Sequence, residues 1–204
     1  RIPERVFELT PEDIALINPN PRTCPVFRTR RDAEITKGIY RRVPVLVREA
    51  RDGQPEVNPW GVKLSTMFHM SNDSHLFRTR AELETEGWSL EGNVFVKGEE
   101  RMLPLYEAKM VNFFDHRAAG VVRNETVVAR QNQAQASSDL EKQDPNFSPL
   151  PLYWVASPLI AERAFATVAQ FIGMRNVTAS TNERTLLASL IPFSAVGHSM
   201  PVLT

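Results

Sequence analysis

The chain has 204 residues, and its 24 lysines and arginines are balanced by 24 aspartates and glutamates, for a formal net charge of zero. With 42% hydrophobic and 24% charged residues the composition is that of an ordinary globular protein. That excludes a disordered charged tail, a collagen-like repeat and a disulfide scaffold. Taken alone, neutrality argues against a nucleic-acid partner.

No apolar run approaches the roughly 20 residues of a membrane-spanning helix, so no membrane partner is expected. The opening Arg1-Ile2-Pro3-Glu4-Arg5 is not a signal peptide, and its missing initiator Met predicts a piece of a longer protein. A single cysteine, Cys24, permits no internal disulfide, which fits a reducing, cytoplasmic location. One domain is expected, with a basic arm and helix over residues 1–48 and a β-rich core over 49–204.

Near the start, Thr10 is placed to cap a short helix with Pro11 at its first position. Residues 29–42 carry the strongest helix signal. Thr29 and Asp32 form a capping-box spacing, Ile35 and Ile39 share a face, and Arg41 and Arg42 suit the negative C-terminus. A polar loop is expected over 48–59, turning at Asp52-Gly53, and a strand within 60–70. Thr79-x-x-Glu82 is a second capping box, with Gly87 as C-cap.

Beyond Trp88 the signals turn to strands: Val94-Phe95-Val96 between two Gly turns, a longer strand over 105–114, and short ones at Val121-Val122 and Thr126-Val127-Val128. Residues 131–149 are polar and predict a long exposed loop. Then come a strand over 152–155, a helix opened by Ser157-Pro158 and running to about Ala169, and strands over 175–179, 186–191 and 201–203. The fold class is α+β, a β-rich domain with a few peripheral helices.

Neutrality conceals polarity along the chain. Residues 22–48 hold eight bases (Arg22, Arg28, Arg30, Arg31, Lys37, Arg41, Arg42, Arg48) against two acids, a local +6. Residues 82–100 hold six acids against Lys97, a local −5. Local field attracts phosphate, so the basic stretch is a candidate contact; a solvated helix face with dipole-complementing ends accounts for it equally well.

Catalytic patterns are sparse. Glu107-Ala108-Lys109 matches the E-x-K half of a magnesium-dependent nuclease, with Asp73 or Asp52 as the upstream acid, and also matches a paired-charge strand face. The lone His116 after Asp115 suits a structural or contact role better than catalysis. The four histidines and one cysteine lack metal-ligand spacing, and there is no G-x-G-x-x-G, P-loop or G-x-S-x-G. Asn18-Pro19 and Asn58-Pro59-Trp60 lack the second Pro of the Asn-Pro-Pro-Tyr loop of adenine methyltransferases.

Three stretches in order carry a resemblance: Cys24-Pro25-Val26-Phe27-Arg28-Thr29-Arg30-Arg31-Asp32-Ala33-Glu34-Ile35-Thr36; Leu105-Tyr106-Glu107-Ala108-Lys109-Met110 with Phe114-Asp115-His116-Arg117; and Thr181-Asn182-Glu183-Arg184-Thr185 with Leu190-Ile191-Pro192. Together they resemble the region after the catalytic domain of large bacterial N6-adenine DNA methyltransferases of type II (type IIG-like) restriction–modification and phage-defence systems. The resemblance runs from about Leu9 to Thr204. It implies a target recognition domain similar to the TaqI-like C-terminal specificity domain, non-catalytic itself. Its implied partners are double-stranded DNA and the methyltransferase domain of the same chain, which would carry the S-adenosylmethionine site and the Asn-Pro-Pro-Tyr loop.

A methyltransferase must extrude its target base, so a separate module has to grip the duplex. Arg28, Arg30, Arg31, Lys37, Arg41 and Arg42 are the expected backbone clamp. Lys109, His116 and Arg117 are expected near the recognition face, and Asn182 and Arg184 there too, or else in a structural turn held by a Glu183–Arg184 network. Residues 131–135 are either a groove-probing loop or a linker. Two rivals remain: a magnesium nuclease using Glu107 and Lys109, and a protein-interaction domain whose acidic and basic segments pair with each other.

Overall fold

Four Ser/Thr-x-x-Asp/Glu spacings become helix N-termini in the computed structural model, which describes residues 5–123, 132–163, 169–179 and 181–203. At each, the hydroxyl accepts a backbone N–H of the first turn and the acid accepts the cap's own N–H, satisfying donors the helix leaves open. The helices are α1 (Pro11–Ile17), α2 (Arg30–Arg42), α3 (Arg80–Thr85) and α4 (Asp139–Gln143). A fifth, α5 (Ser157–Arg163), begins at the expected Ser157-Pro158; the rest of the helix expected to Ala169 reaches residues outside those described.

The chain divides into two compact units, Arg1–Val62 and Lys63–Thr204. The first contains α1 and α2, joined by Lys37, whose Nζ lies 3.3 Å from Asp13 of α1 and 2.7 Å from Glu34. α2 buries Ala33 and Lys37, while Ile35 and Ile39 stay 51% and 47% exposed. The expected apolar face is therefore not the packed one. The buried pair is Ala33 and Lys37, four residues apart and two positions before Ile35 and Ile39 on the helix. After α2 the chain folds back through bridges Arg48↔Val57 and Arg51↔Gln54, around an Asp52-Gly53 turn with φ of 50° and 77°.

The second unit is strand-rich. β2 (Ser89–Glu91), β3 (Val94–Lys97) and β4 (Glu100–Tyr106) form an antiparallel meander. β4 also pairs antiparallel with β7 (Trp154–Ala156) and parallel with β10 (Ala195–Val196). A second sheet runs β1 (Leu64–Ser65), β11 (Val202–Leu203), β8 (Gln170–Met174), β9 (Ala188–Pro192), all antiparallel. β5 (Ala119–Arg123) and β6 (Asn132–Ala136) make a two-stranded ribbon. The architecture is α+β and strand-rich with a few helices.

The main core of this unit gathers Phe68, Tyr106, Met110, Val155, Ile160 and Met200 among others; a smaller one holds Leu83, Phe95, Met102 and Trp154. Phe95 and Trp154 meet edge-to-face at 5.0 Å, and the indole N–H donates to Asn93 O at 2.8 Å. Gly173 sits where a Cβ would meet Met200 Sδ at 3.1 Å and Ile191 Cδ1 at 3.3 Å, so β8 packs backbone-close on the core.

Several expected boundaries shift. The strand expected over 105–114 ends at Tyr106; a 3₁₀ turn, Ala108–Met110, follows, and Met110 and Val111 are buried in the core. The expected loop over 131–149 instead contains β6 and α4. β6 is mostly exposed, so it shows no apolar alternation, and its ladder with β5 holds it. The strand within 60–70 shrinks to Leu64–Ser65, and that expected over 175–179 is replaced by Gln170–Met174. Thr126-Val127-Val128 and Gln131 lie outside the described residues.

Candidate nucleic-acid interface

In the first unit, capping geometry fixes α2 and with it the arginines. Arg31 and Arg42 are exposed and fall on one face with Ile35, at positions i, i+11 and i+4. Arg28, Arg30 and Arg41 are also exposed, and among the described residues none of these five arginines has a carboxylate partner within ion-pair distance. Lys37 differs from the rest of the expected clamp. It is buried, and the hydrogen bond to Glu34 holds its ammonium charged against the opposing effect of burial. Its charge is neutralised inside the unit.

In the second unit, the 3₁₀ turn after β4, the turn 112–115 and the chain between β8 and β9 bring Lys109, Asn112, Arg175, Asn182 and Arg184 to two adjoining clefts. Two clefts share Arg175 as a wall. One, about 360 Å³, is lined by Asn112, Phe113, Asn182, Glu183, Arg184 and Leu187. The other, about 460 Å³, is lined by Glu107, Lys109, Asn176, His198 and Ser199 among others. Arg175 donates Nε–H and one Nη–H to Val111 O at 2.8 and 2.5 Å. That leaves three of its five N–H donors without a described protein acceptor, and no described carboxylate pairs with it.

Lys109 Nζ lies 2.9 Å from Glu107 Oε2 and donates to Asn132 O at 3.2 Å. Glu107 is only 10% exposed at its side chain, and its Oε1 is buried without a partner. Arg184 lies over the Phe113 ring at 4.7 Å, and no described ion pair joins it to Glu183. The turn is held instead by Asn182 N–H to Ala179 O and Thr178 Oγ–H to Thr185 O.

His116 and Arg117 take other places. Burial, then the neighbouring Arg117 cation, push the His116 pKa below the usual imidazole value, so the ring is neutral at neutral pH. Arg117 donates to Lys142 O (2.9 Å), Asp144 O (3.0 Å) and Phe147 O (3.1 Å), clamping the C-terminal end of α4. Asp115 pairs with Lys142 at 2.7 Å; although burial opposes it, the Lys142 hydrogen bond holds its carboxyl below the ordinary range.

The acids that a magnesium nuclease would draw on are each paired with a cation: Glu107 with Lys109, Asp73 with Arg163 at 2.9 Å, and Asp52 with Arg22 at 2.9 Å. Among the described residues no group of three or more His, Cys, Asp or Glu side chains can hold a metal ion. The acidic stretch pairs locally, Glu82 and Glu86 with Arg78 and Glu84 with Arg80. A cleft of about 650 Å³ beside β5 and β6 has two of its charged groups engaged, Arg80 on Glu84 and Glu141 on the α4 cap, and Arg123 also lines it. No helix among the described residues is long and apolar enough to cross a membrane.

Sequence reasoning missed Arg175, Phe113 and Phe114. Asn112-Phe113-Phe114-Asp115 did carry a signal, two aromatics between turn-forming residues, but the strand expected over 105–114 absorbed both rings. Arg175 gave none, since its role depends on β8 carrying it beside Val111. Comparison of the chain with protein-family models, curated proteins and solved structures gives no match.

Proposed function

We propose that this chain is a sequence-recognition module for duplex DNA, part of an adenine-specific methyltransferase of restriction–modification or phage defence. Its catalytic domain, with the S-adenosylmethionine site, would lie elsewhere in the same protein. The observation that carries the DNA-binding part is Arg175, a guanidinium with donors to spare and no ion-pair partner among the described residues, walling two clefts that also present Lys109, Asn182 and Arg184. Arg offers paired donors to guanine O6 and N7, Asn matches the adenine edge, and Lys and Arg hold phosphate. Unpaired arginines on α2 supply a second cationic surface. The methyltransferase setting rests on the resemblance of the three ordered motifs.

Titration of the chain with mixed-sequence duplex across a salt series tests this. Affinity is expected to fall steeply and linearly in log–log form as salt rises. Arg175→Ala is expected to weaken binding at all salts. No binding at low salt, by this chain and by the longer protein carrying it, overturns the proposal.

A further inference from the structure

Phe114 is 80% exposed and Phe113 36% exposed, and the two adjacent rings lie 4.3 Å apart at the tip of the 112–115 turn. The backbone is held for this. Asn112 and Asp115 exchange N–H···O bonds of 2.7 and 3.0 Å, Asn112 Oδ1 accepts the Phe113 N–H at 2.8 Å, and the Phe114 N–H reaches Ala188 O at 2.9 Å. Phe114 itself has φ of 55°, a left-handed conformation unfavourable for a bulky side chain and kept only where surrounding bonds over-determine it. Behind Phe113 the Arg184 guanidinium lies over the ring at 4.7 Å. Arg184 thus packs on Phe113, and Phe114 lies beside Phe113 with its ring tilted by 53° and most of its surface open.

Arg175 and Arg184 line one cleft with Phe113, Lys109 lines the neighbouring cleft that shares Arg175, and of the three only Lys109 has a described carboxylate partner. An exposed ring among cations suits a polyanion that also offers flat π-faces, which describes a nucleic acid. We infer that Phe113 and Phe114 form a wedge that inserts against a base step of duplex DNA, with Arg184 bracing it from behind. This deepens the DNA-recognition proposal and rests on it. Apolar wedges that part a base step and kink the duplex are a known use of such side chains, and pyrimidine–purine steps open most easily.

The test uses the chain and a duplex carrying 2-aminopurine at a thymine–adenine step. Wild type is expected to bind and to raise the 2-aminopurine fluorescence by unstacking it. Phe114→Ala should weaken binding roughly 5- to 150-fold and abolish the fluorescence rise, with the salt slope unchanged because no phosphate contact is removed. Phe114→Trp should restore both. Phe114→Gly should bind as weakly as Phe114→Ala yet melt no lower than wild type, since glycine accepts φ of 55° without strain. If wild type binds but Phe114→Ala matches it in affinity and fluorescence, the wedge is overturned and the DNA proposal stands. If Phe114→Gly loses thermal stability together with binding, the ring is structural and the wedge is likewise overturned. If wild type binds no duplex, both fall.

Discussion

Arg163 of α5 holds Asp73 through two contacts of 2.9 and 3.0 Å, donates to Met67 O at 3.2 Å, and lies 4.5 Å from the centre of the Phe68 ring. One side chain thus ties a helix, a turn and a fully buried aromatic. The Arg163 hydrogen bond, helped by the His69 N–H, holds the Asp73 carboxyl at a pKa of about 2. Because this lies below the unfolded value, the pair stabilises the fold above about pH 4, and the effect fades as pH falls toward 2. It is worth about 2 kcal/mol at neutral pH. Asp73→Asn should therefore lower stability in urea at pH 7 and cost little near pH 2. An equal loss at both pH values would mean the carboxylate charge is not what holds Arg163.

The cations of α2 should separate into two kinds. Lys37 is buried between Asp13 and Glu34, so Lys37→Met should lower the melting temperature of the first unit without changing the salt slope of DNA binding. Arg31→Ala and Arg42→Ala remove exposed charges without acid partners. Each should leave the melt near wild type and reduce the salt slope by about 1. The same slope change from Lys37→Met would show that its ammonium reaches phosphate after all.

These contrasts follow what a linear sequence exposes. The Thr10 cap and the capping boxes at Thr29 and Thr79 were legible because they are local chemistry over four residues, and the Gly turns around β3 for the same reason. The α4 box at Ser138 and Glu141 was equally local and was missed because its polar surroundings read as loop. β6 and the burial of Lys37 depend on partners far along the chain. So does Arg175, whose acceptor, Val111 O, is 64 residues away. At the candidate site Lys109 was expected within a strand over 105–114, and Asn182 and Arg184 either at the recognition face or in a structural turn. Arg117 was expected at the same face, but its three carbonyl partners lie 25 to 30 residues away.

Arg117 should matter for local order more than for affinity. Its guanidinium satisfies three carbonyls at the end of α4, and Lys142 on Asp115 adds a second basic tie there. Arg117→Ala should speed amide hydrogen exchange over residues 139–147 and open a tryptic site at Lys142, while exchange in β4 stays slow. Faster exchange throughout the second unit would instead make Arg117 a support of the whole core.

Glu107 and Lys109 give the sharpest separation of folding from binding. Glu107 has one oxygen on Lys109 and the other buried without a partner, so the ammonium offsets most of the cost of placing a carboxylate there. Lys109→Ala leaves that carboxylate unpaired, and because Lys109 is about a third exposed the expected loss is about 1–3 kcal/mol, below that of a fully buried pair. Adding Glu107→Leu should recover much of the stability, since the uncompensated charge is then gone. Duplex affinity should fall in both variants, because each lacks the Lys109 cation. Denaturant melts and salt titrations on the two proteins check this together. A double variant that regains affinity along with stability would mean that Lys109 acts on DNA only through the fold.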